Sequence, residues 1–99
     1  MKLTHGQRRR SLYQLRIKKS VLRQIEALPG RYRQRVRGLI ASLAHTPFPS
    51  TTKLLRGKQN IYRIALDRYR IVYSIENDIL VIEVLKVGAK SGPEFYADI

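Results

Sequence analysis

Arg63, Arg70, Lys90 and Tyr96 are the residues whose types and spacing suggest chemistry. Arg63 and Arg70 fall on consecutive alternating stretches, where Tyr62, Ile64 and Leu66 and then Tyr69, Ile71 and Tyr73 form the apolar stripes. With a period of two, both stripes turn one way and both guanidinium groups the other. Lys53, Arg56 and Lys58 lie in the preceding loop, Arg68 between the two stretches, Lys90 just past Val87-Gly88, and Tyr96 in the final segment. A basic surface with a tyrosine at its rim suits single-stranded RNA, whose phosphates meet Arg and Lys while an unstacked base meets the ring. The same residues also fit the solvated side of a sheet, and spacing does not separate the two.

Other chemistries find no template. His5 and His45 stand 40 residues apart with no second ligand at metal spacing, and the chain has no cysteine for a thiolate site, a disulfide or a nucleophile. Gly57-Lys58 lacks the leading glycine and following Ser or Thr of a phosphate-binding loop, and no G-x-S-x-G elbow occurs. The seven acidic residues are scattered, which excludes a glycosidase-like pair. Neither a metal, a cofactor nor a small-molecule substrate is implied.

The elements that must position these residues follow from periodicity. Ninety-nine residues, 43% of them hydrophobic, make one domain with one core, expected over 12–99. Residues 1–11, ending in Arg8, Arg9 and Arg10, read as a flexible basic arm. Tyr13, Leu15 and Ile17 predict a half-buried strand. Ser20 is the expected cap of a helix carrying Val21, Leu22, Ile25 and Leu28, stopped by Pro29 and Gly30. A second helix presents Tyr32, Val36, Leu39, Ile40 and Leu43 on one stripe and ends towards Pro47 and Pro49, with a loop running to Thr52. Two strands carry the arginines, Asn77 and Asp78 turn the chain, and Ile79 to Val87 reads as a central strand ended by Gly88. The fold expected is α+β in the order β-α-α-β-β-β, with a three-stranded antiparallel meander whose one face is covered by the helical hairpin while the other stays partly open.

Charge points to a polyanionic partner. The formal net charge is +13, and residues 1–40 hold twelve basic side chains against one acid, Glu26. Arg31, Arg33, Arg35 and Arg37 suggest a DNA-reading helix, but a spacing of two spreads them around the helix and away from any single groove-facing edge. No apolar run approaches the ~20 residues of a spanning helix and the first ten residues hold no signal-peptide core, so the cytoplasm is the expected location and no membrane is involved.

Lys53-Leu54-Leu55-Arg56-Gly57, Ile61-Tyr62-Arg63-Ile64, Tyr69-Arg70-Ile71-Val72-Tyr73 and Val87-Gly88 with Tyr96 eight positions further on, taken in order, resemble the RelE/ParE toxin superfamily, the RelE branch more closely. The resemblance covers about residues 12–98. It implies a toxin of a type II toxin–antitoxin system that cuts mRNA on the ribosome, contacts ribosomal RNA and is held inactive by a cognate antitoxin. Arg63, Arg70, Lys90 and Tyr96 occupy the family's catalytic positions, and Lys53, Arg56, Lys58 and Arg68 are the RNA-binding candidates. Ala65 stands where that branch has a second strand lysine and Lys90 where it has an arginine; both changes weaken a phosphate clamp, since Ala carries no charge and Lys makes no bidentate contact.

The reaction implied is in-line attack of a ribose 2′-hydroxyl on its own 3′ phosphate, giving a 2′,3′-cyclic phosphate and a free 5′-hydroxyl without a metal. Preorganised Arg63, Arg70 and Lys90 would offset charge gathering on the phosphoryl oxygens. Arginine is too firmly protonated to act as a base, which leaves Tyr96 as base or as a stacking surface, and the general acid unassigned. Two further classes stay open: a ParE-like, non-enzymatic inhibitor of DNA gyrase, and an inactive RNA-binding relative.

Overall fold

The computed structural model describes residues 12–99, so the basic arm expected over 1–11 lies outside the described residues. The first strand, β1 (Gln14–Ile17), leads into helices α1 (Lys19–Glu26) and α2 (Gly30–Ser42). Four strands follow, β2 (Thr52–Leu54), β3 (Ile61–Leu66), β4 (Tyr69–Glu76) and β5 (Val81–Ala89), and a 3-10 turn, Pro93–Tyr96, closes the described chain. The sheet runs β1-β5-β4-β3-β2, antiparallel except for β1, which pairs parallel to β5. The α+β order and the β3-β4-β5 meander match the expectation.

One core lies between the sheet and the helical hairpin. Val21, Ile25 and Leu28 of the α1 region and Val36, Ile40 and Leu43 of the α2 stripe meet Ile64, Tyr69, Ile71, Tyr73, Ile75, Ile82, Val84 and Val87. This is the face assigned by the period-two stripes on β3 and β4. The helix stripes are also those read at i, i+3, i+4 spacing, except Leu22, expected on the α1 stripe but 50% exposed and outside the core, because it sits next to Val21 and is turned about 100° away from it.

Local details depart from the expectations for physical reasons. Ser20 does not cap α1: the helix starts two residues earlier, with the Lys18 carbonyl accepting from the Val21 and Leu22 amides, and Lys18 takes the cap position. Gly30 opens α2 and does not merely end α1. That helix stops at Ser42, short of Pro47, where Ser42 Oγ bonds the Leu39 carbonyl at 2.7 Å and competes with the ladder. The loop expected up to β3 contains a strand, β2, too short for a periodic signal.

β5 starts late and ends late. Ile79 and Leu80 belong to the turn, with Leu80 at φ 54°, and Ile79 is 63% exposed. Gly88 lies inside the strand, opposite Arg70. Between Val72 and Tyr73 the register shifts: Tyr73 opposes Val84 while Val72 opposes Lys86, leaving Leu85 as an extra residue. Val84 and Val87 therefore both enter the core, and Lys86 is turned to the other face.

Tyr73 is fully buried in this core, and its hydroxyl donates to the Pro47 carbonyl at 2.7 Å and lies 3.0 Å from Thr52 Oγ1. Burial raises its phenol above the ordinary 10.0, partly opposed by the Thr52 hydrogen bond. The folded chain thus keeps a proton that the unfolded chain releases; the contribution is whole below about pH 10 and falls as pH rises through the folded value. Tyr73→Phe should lower stability by about 1–2 kcal/mol in urea denaturation, because the Pro47 carbonyl loses its partner, and should remove this alkaline sensitivity.

A candidate nucleic-acid interface

The sheet face turned away from the helices carries a row of cations in register. Lys53 of β2 opposes Arg63 of β3, Arg63 opposes Val72 of β4, and Val72 opposes Lys86 of β5. The next row is Ala65, Arg70 and Gly88, so Arg70 is diagonal to Arg63 on the same face. This face is less bare than the helical-hairpin arrangement suggested. Val72, which alternates with core residues and so points to it, is fully buried, and the C-terminal turn packs there, with the Phe95 ring against Gly88.

The turn completes a cleft of ≈ 340 Å³, within the ~300–1,000 Å³ usual for ligand sites. Lys53, Arg56, Arg63 and Lys90 supply its cations, Tyr96 and Pro93 its wall, and no acidic residue lines it. Each reaches the cleft by a local device. Arg56 sits where the chain leaves β2, reversed by Gly57 at φ 80° and Asn60 at φ 62°, left-handed values that glycine and asparagine tolerate. Lys90 is fixed by its amide, which donates to the Arg68 carbonyl at 2.9 Å and extends the β4–β5 pairing. Tyr96 is carried by the 3-10 turn.

Arg63 and Lys90 both approach the Tyr96 ring, with the Arg63 Cζ 5.8 Å and the Lys90 Nζ 5.9 Å from its centroid. The ring's negative face eases the mutual repulsion of the two cations. The Tyr96 hydroxyl is buried and makes no hydrogen bond among the described residues, so contact with a substrate takes movement of the neighbouring side chains or of the turn. Among the described residues no three His, Asp or Glu side chains gather to ligate an ion.

Five sequence-derived candidates thus share one cleft: Lys53, Arg56, Arg63, Lys90 and Tyr96. Three do not line it. The Arg70 Nη1 donates to the carbonyls of Asp67 and Tyr69 at 2.8 and 2.9 Å, bracing the β3–β4 turn, and its Nε is buried without a partner among the described residues. Arg68 turns to Tyr69, whose ring lies 5.3 Å from its Cζ and whose hydroxyl accepts from it, which holds this guanidinium above its ordinary value. Lys58 is exposed in the β2–β3 loop. Lys53 sits on an edge strand where a loop was expected.

The arginines of α2 divide into two pairs, as their spacing requires. Arg33 and Arg37 bond Glu26, and Arg31 and Arg35 stand over the Tyr32 ring. Pattern reading missed Lys86, Gly88 and Phe95, which hold the C-terminal turn. The one available signal was a lysine interrupting the apolar run of β5.

A family model for the ParE toxin of type II toxin–antitoxin systems, parDE, matches residues 15–92. The chain is 26% identical over 83 residues to a protein of Methanocaldococcus jannaschii named toxin RelE1, covering 81% of this chain and 92% of that one. It is similar in structure to the RelE of Pyrococcus horikoshii crystallised with RelB, at a TM-score of 0.71 and 27% identity over 81% of this chain and 97% of the other. The isolated E. coli RelE toxin gives a TM-score of 0.69 at 25% identity, over 87% and 93% of the two chains. With most of its length inside the family model and its helices and sheet in the RelE arrangement, the chain belongs to the RelE/ParE superfamily of type II toxin–antitoxin toxins and is RelE-like.

Proposed function

We propose that the cleft is the active site of a ribosome-dependent endoribonuclease. The observation that carries this reading is the convergence of Arg63 and Lys90 on the Tyr96 ring, beside Lys53 and Arg56 and with no acid among the lining residues. A scissile phosphodiester in the cleft places its oxygens among these cations. As the ribose 2′-oxygen attacks its own 3′ phosphorus, the P–O bond to the 5′-oxygen breaks, that oxygen takes a proton from water to become a 5′-hydroxyl, a 2′,3′-cyclic phosphate forms, and the added negative charge is stabilised by Arg63 and Lys90. Tyr96 is the group assigned to take the 2′-hydroxyl proton. Arg70 supports the site by keeping the β3–β4 turn, and through the Arg68 carbonyl Lys90, in place. Lys58 and Arg68, outside the cleft, contact the RNA or ribosomal RNA beyond it. Such a site does little to shape a flexible strand, so the ribosome supplies the in-line geometry.

A second reading follows from the ParE family model: a non-enzymatic inhibitor of DNA gyrase. Inducible expression of the full chain, with message 5′ ends mapped, separates the two. Wild type should generate new 5′ ends, and Arg63→Ala should reduce them by about 10²-fold or more with the circular-dichroism spectrum unchanged. Cuts that persist in Arg63→Ala, or blocked supercoiling with intact messages, would sink the nuclease reading.

The RelE proteins of P. horikoshii and E. coli are seen in complex with RelB, and we assign this chain a cognate antitoxin of its own. Its docking surface is the apolar groove of ≈ 460 Å³ between β1 and the hairpin, lined by Leu15, Ile17, Leu22, Ile25 and Ile40. Leu22 is 50% exposed there, and the outer edge of β1 is unpaired in the sheet. An amphipathic segment with acidic flanks fits both the groove and the charge of +13. Leu22→Glu should weaken antitoxin binding at least tenfold by calorimetry, since covering a leucine contributes about 1.5–3 kcal/mol, while cleavage without antitoxin is kept.

A further inference from the structure

The C-terminal turn is held by groups that take no part in the cleft. The Lys86 Nζ donates to the Phe95 carbonyl at 2.6 Å and to Asp98 Oδ1 at 3.0 Å, and lies 4.4 Å from the Phe95 ring centroid. The Phe95 ring rests on Gly88 so closely that a Cβ there would come within 3.3 Å of it. The turn's own backbone hydrogen bonds are internal, from Phe95 to Gly92, Ala97 to Glu94 and Ile99 to Tyr96. Tyr96 sits between the two points that Lys86 grips, edge-on to Phe95 at 5.2 Å, and its hydroxyl bonds nothing among the described residues. No hydrogen bond at the phenol end therefore anchors this ring; its place is set from behind.

We propose that Lys86 is a positioning residue that pins the C-terminal turn to the sheet and thereby sets Tyr96 against Arg63 and Lys90. This rests on the cleft being the reactive site. An exposed lysine–carboxylate pair alone contributes little, and Asp98 is largely exposed. The Lys86 side chain, however, is only 20% exposed, and its second bond is charge-assisted, to a main-chain carbonyl adjacent to Tyr96. The Asp98 carboxyl is held below its ordinary value chiefly by the Lys86 hydrogen bond, in keeping with a formed contact. Losing the ammonium while keeping the apolar stem frees the turn without emptying the face beneath it.

The test compares full-length wild type, Lys86→Met and Lys86→Arg in cleavage of mRNA on programmed ribosomes, alongside hydrogen exchange over 91–99 and thermal unfolding. Lys86→Met should lower kcat by roughly 10- to 100-fold, the scale of a small misplacement of a reacting group, with KM nearly unchanged. Exchange over 91–99 should accelerate while the melting temperature holds, and Lys86→Arg, which keeps the donors, should recover most of the rate. Wild-type kcat or unchanged exchange in Lys86→Met overturns the proposal, and so does a faster Lys86→Met, which would make the turn an obstructing lid. Should wild type cut no message, the nuclease reading fails by itself, and the exchange measurement still decides whether Lys86 holds the turn.

Discussion

An unpaired ammonium cannot be placed in an apolar core, and the extra residue in β5 is how this chain meets that constraint. Strict alternation from Ile82 would send Lys86 inward and Val87 outward. The register shift opposite Val72 and Tyr73 reverses the parity after Val84, so Val87 joins the core and Lys86 leaves it. Everything C-terminal inherits that change: Gly88 comes to face the Phe95 ring, Arg70 lies opposite a residue with no side chain, and the chain leaves the sheet where Lys90 meets the Arg68 carbonyl.

Gathering Lys53, Arg56, Arg63 and Lys90 around one cleft is unfavourable in the free protein, because like charges repel and none of the lining residues is acidic. Two features make it tolerable. Much of the field is dissipated in water, and two of the cations lie within 6 Å of the Tyr96 ring centroid, at 5.8 and 5.9 Å. Among the described residues two buried side-chain polar atoms lack partners, the Tyr96 hydroxyl in the cleft and the Arg70 Nε on the same sheet face outside it. Departures from full hydrogen bonding mark places where a structure serves something other than its own stability.

The sheet order also separates two surfaces. β1 lies at one edge beside the apolar groove, and β2 at the other beside the cationic cleft, with the three long strands between. A partner seated along β1 and the hairpin can leave the cleft free, so inhibition by it requires a further segment reaching across the sheet or a shift of the C-terminal turn. The excess of charge in the first half of the chain suits an acidic partner at the hairpin, whereas the cations of the cleft all come from the second half.

Local periodicity made much of this legible. The stripes of α1 and α2, the alternation on β3 and β4, and the outward direction of Arg63 and Arg70 all follow from the spacing of apolar residues, because burying those stripes is what folding requires. The α+β order and the cationic, phenolic character of the site were therefore written in the residues. What the tertiary structure alone decided was which cations meet. Lys53 faces Arg63 because a three-residue strand pairs across a loop, Arg70 is drawn to the carbonyls of its own turn, and Tyr96 is delivered by a turn that Lys86 holds. Such pairings depend on register, on one inserted residue and on contacts between distant segments. None of these leaves a period in the sequence, because each depends on where another strand lies in space.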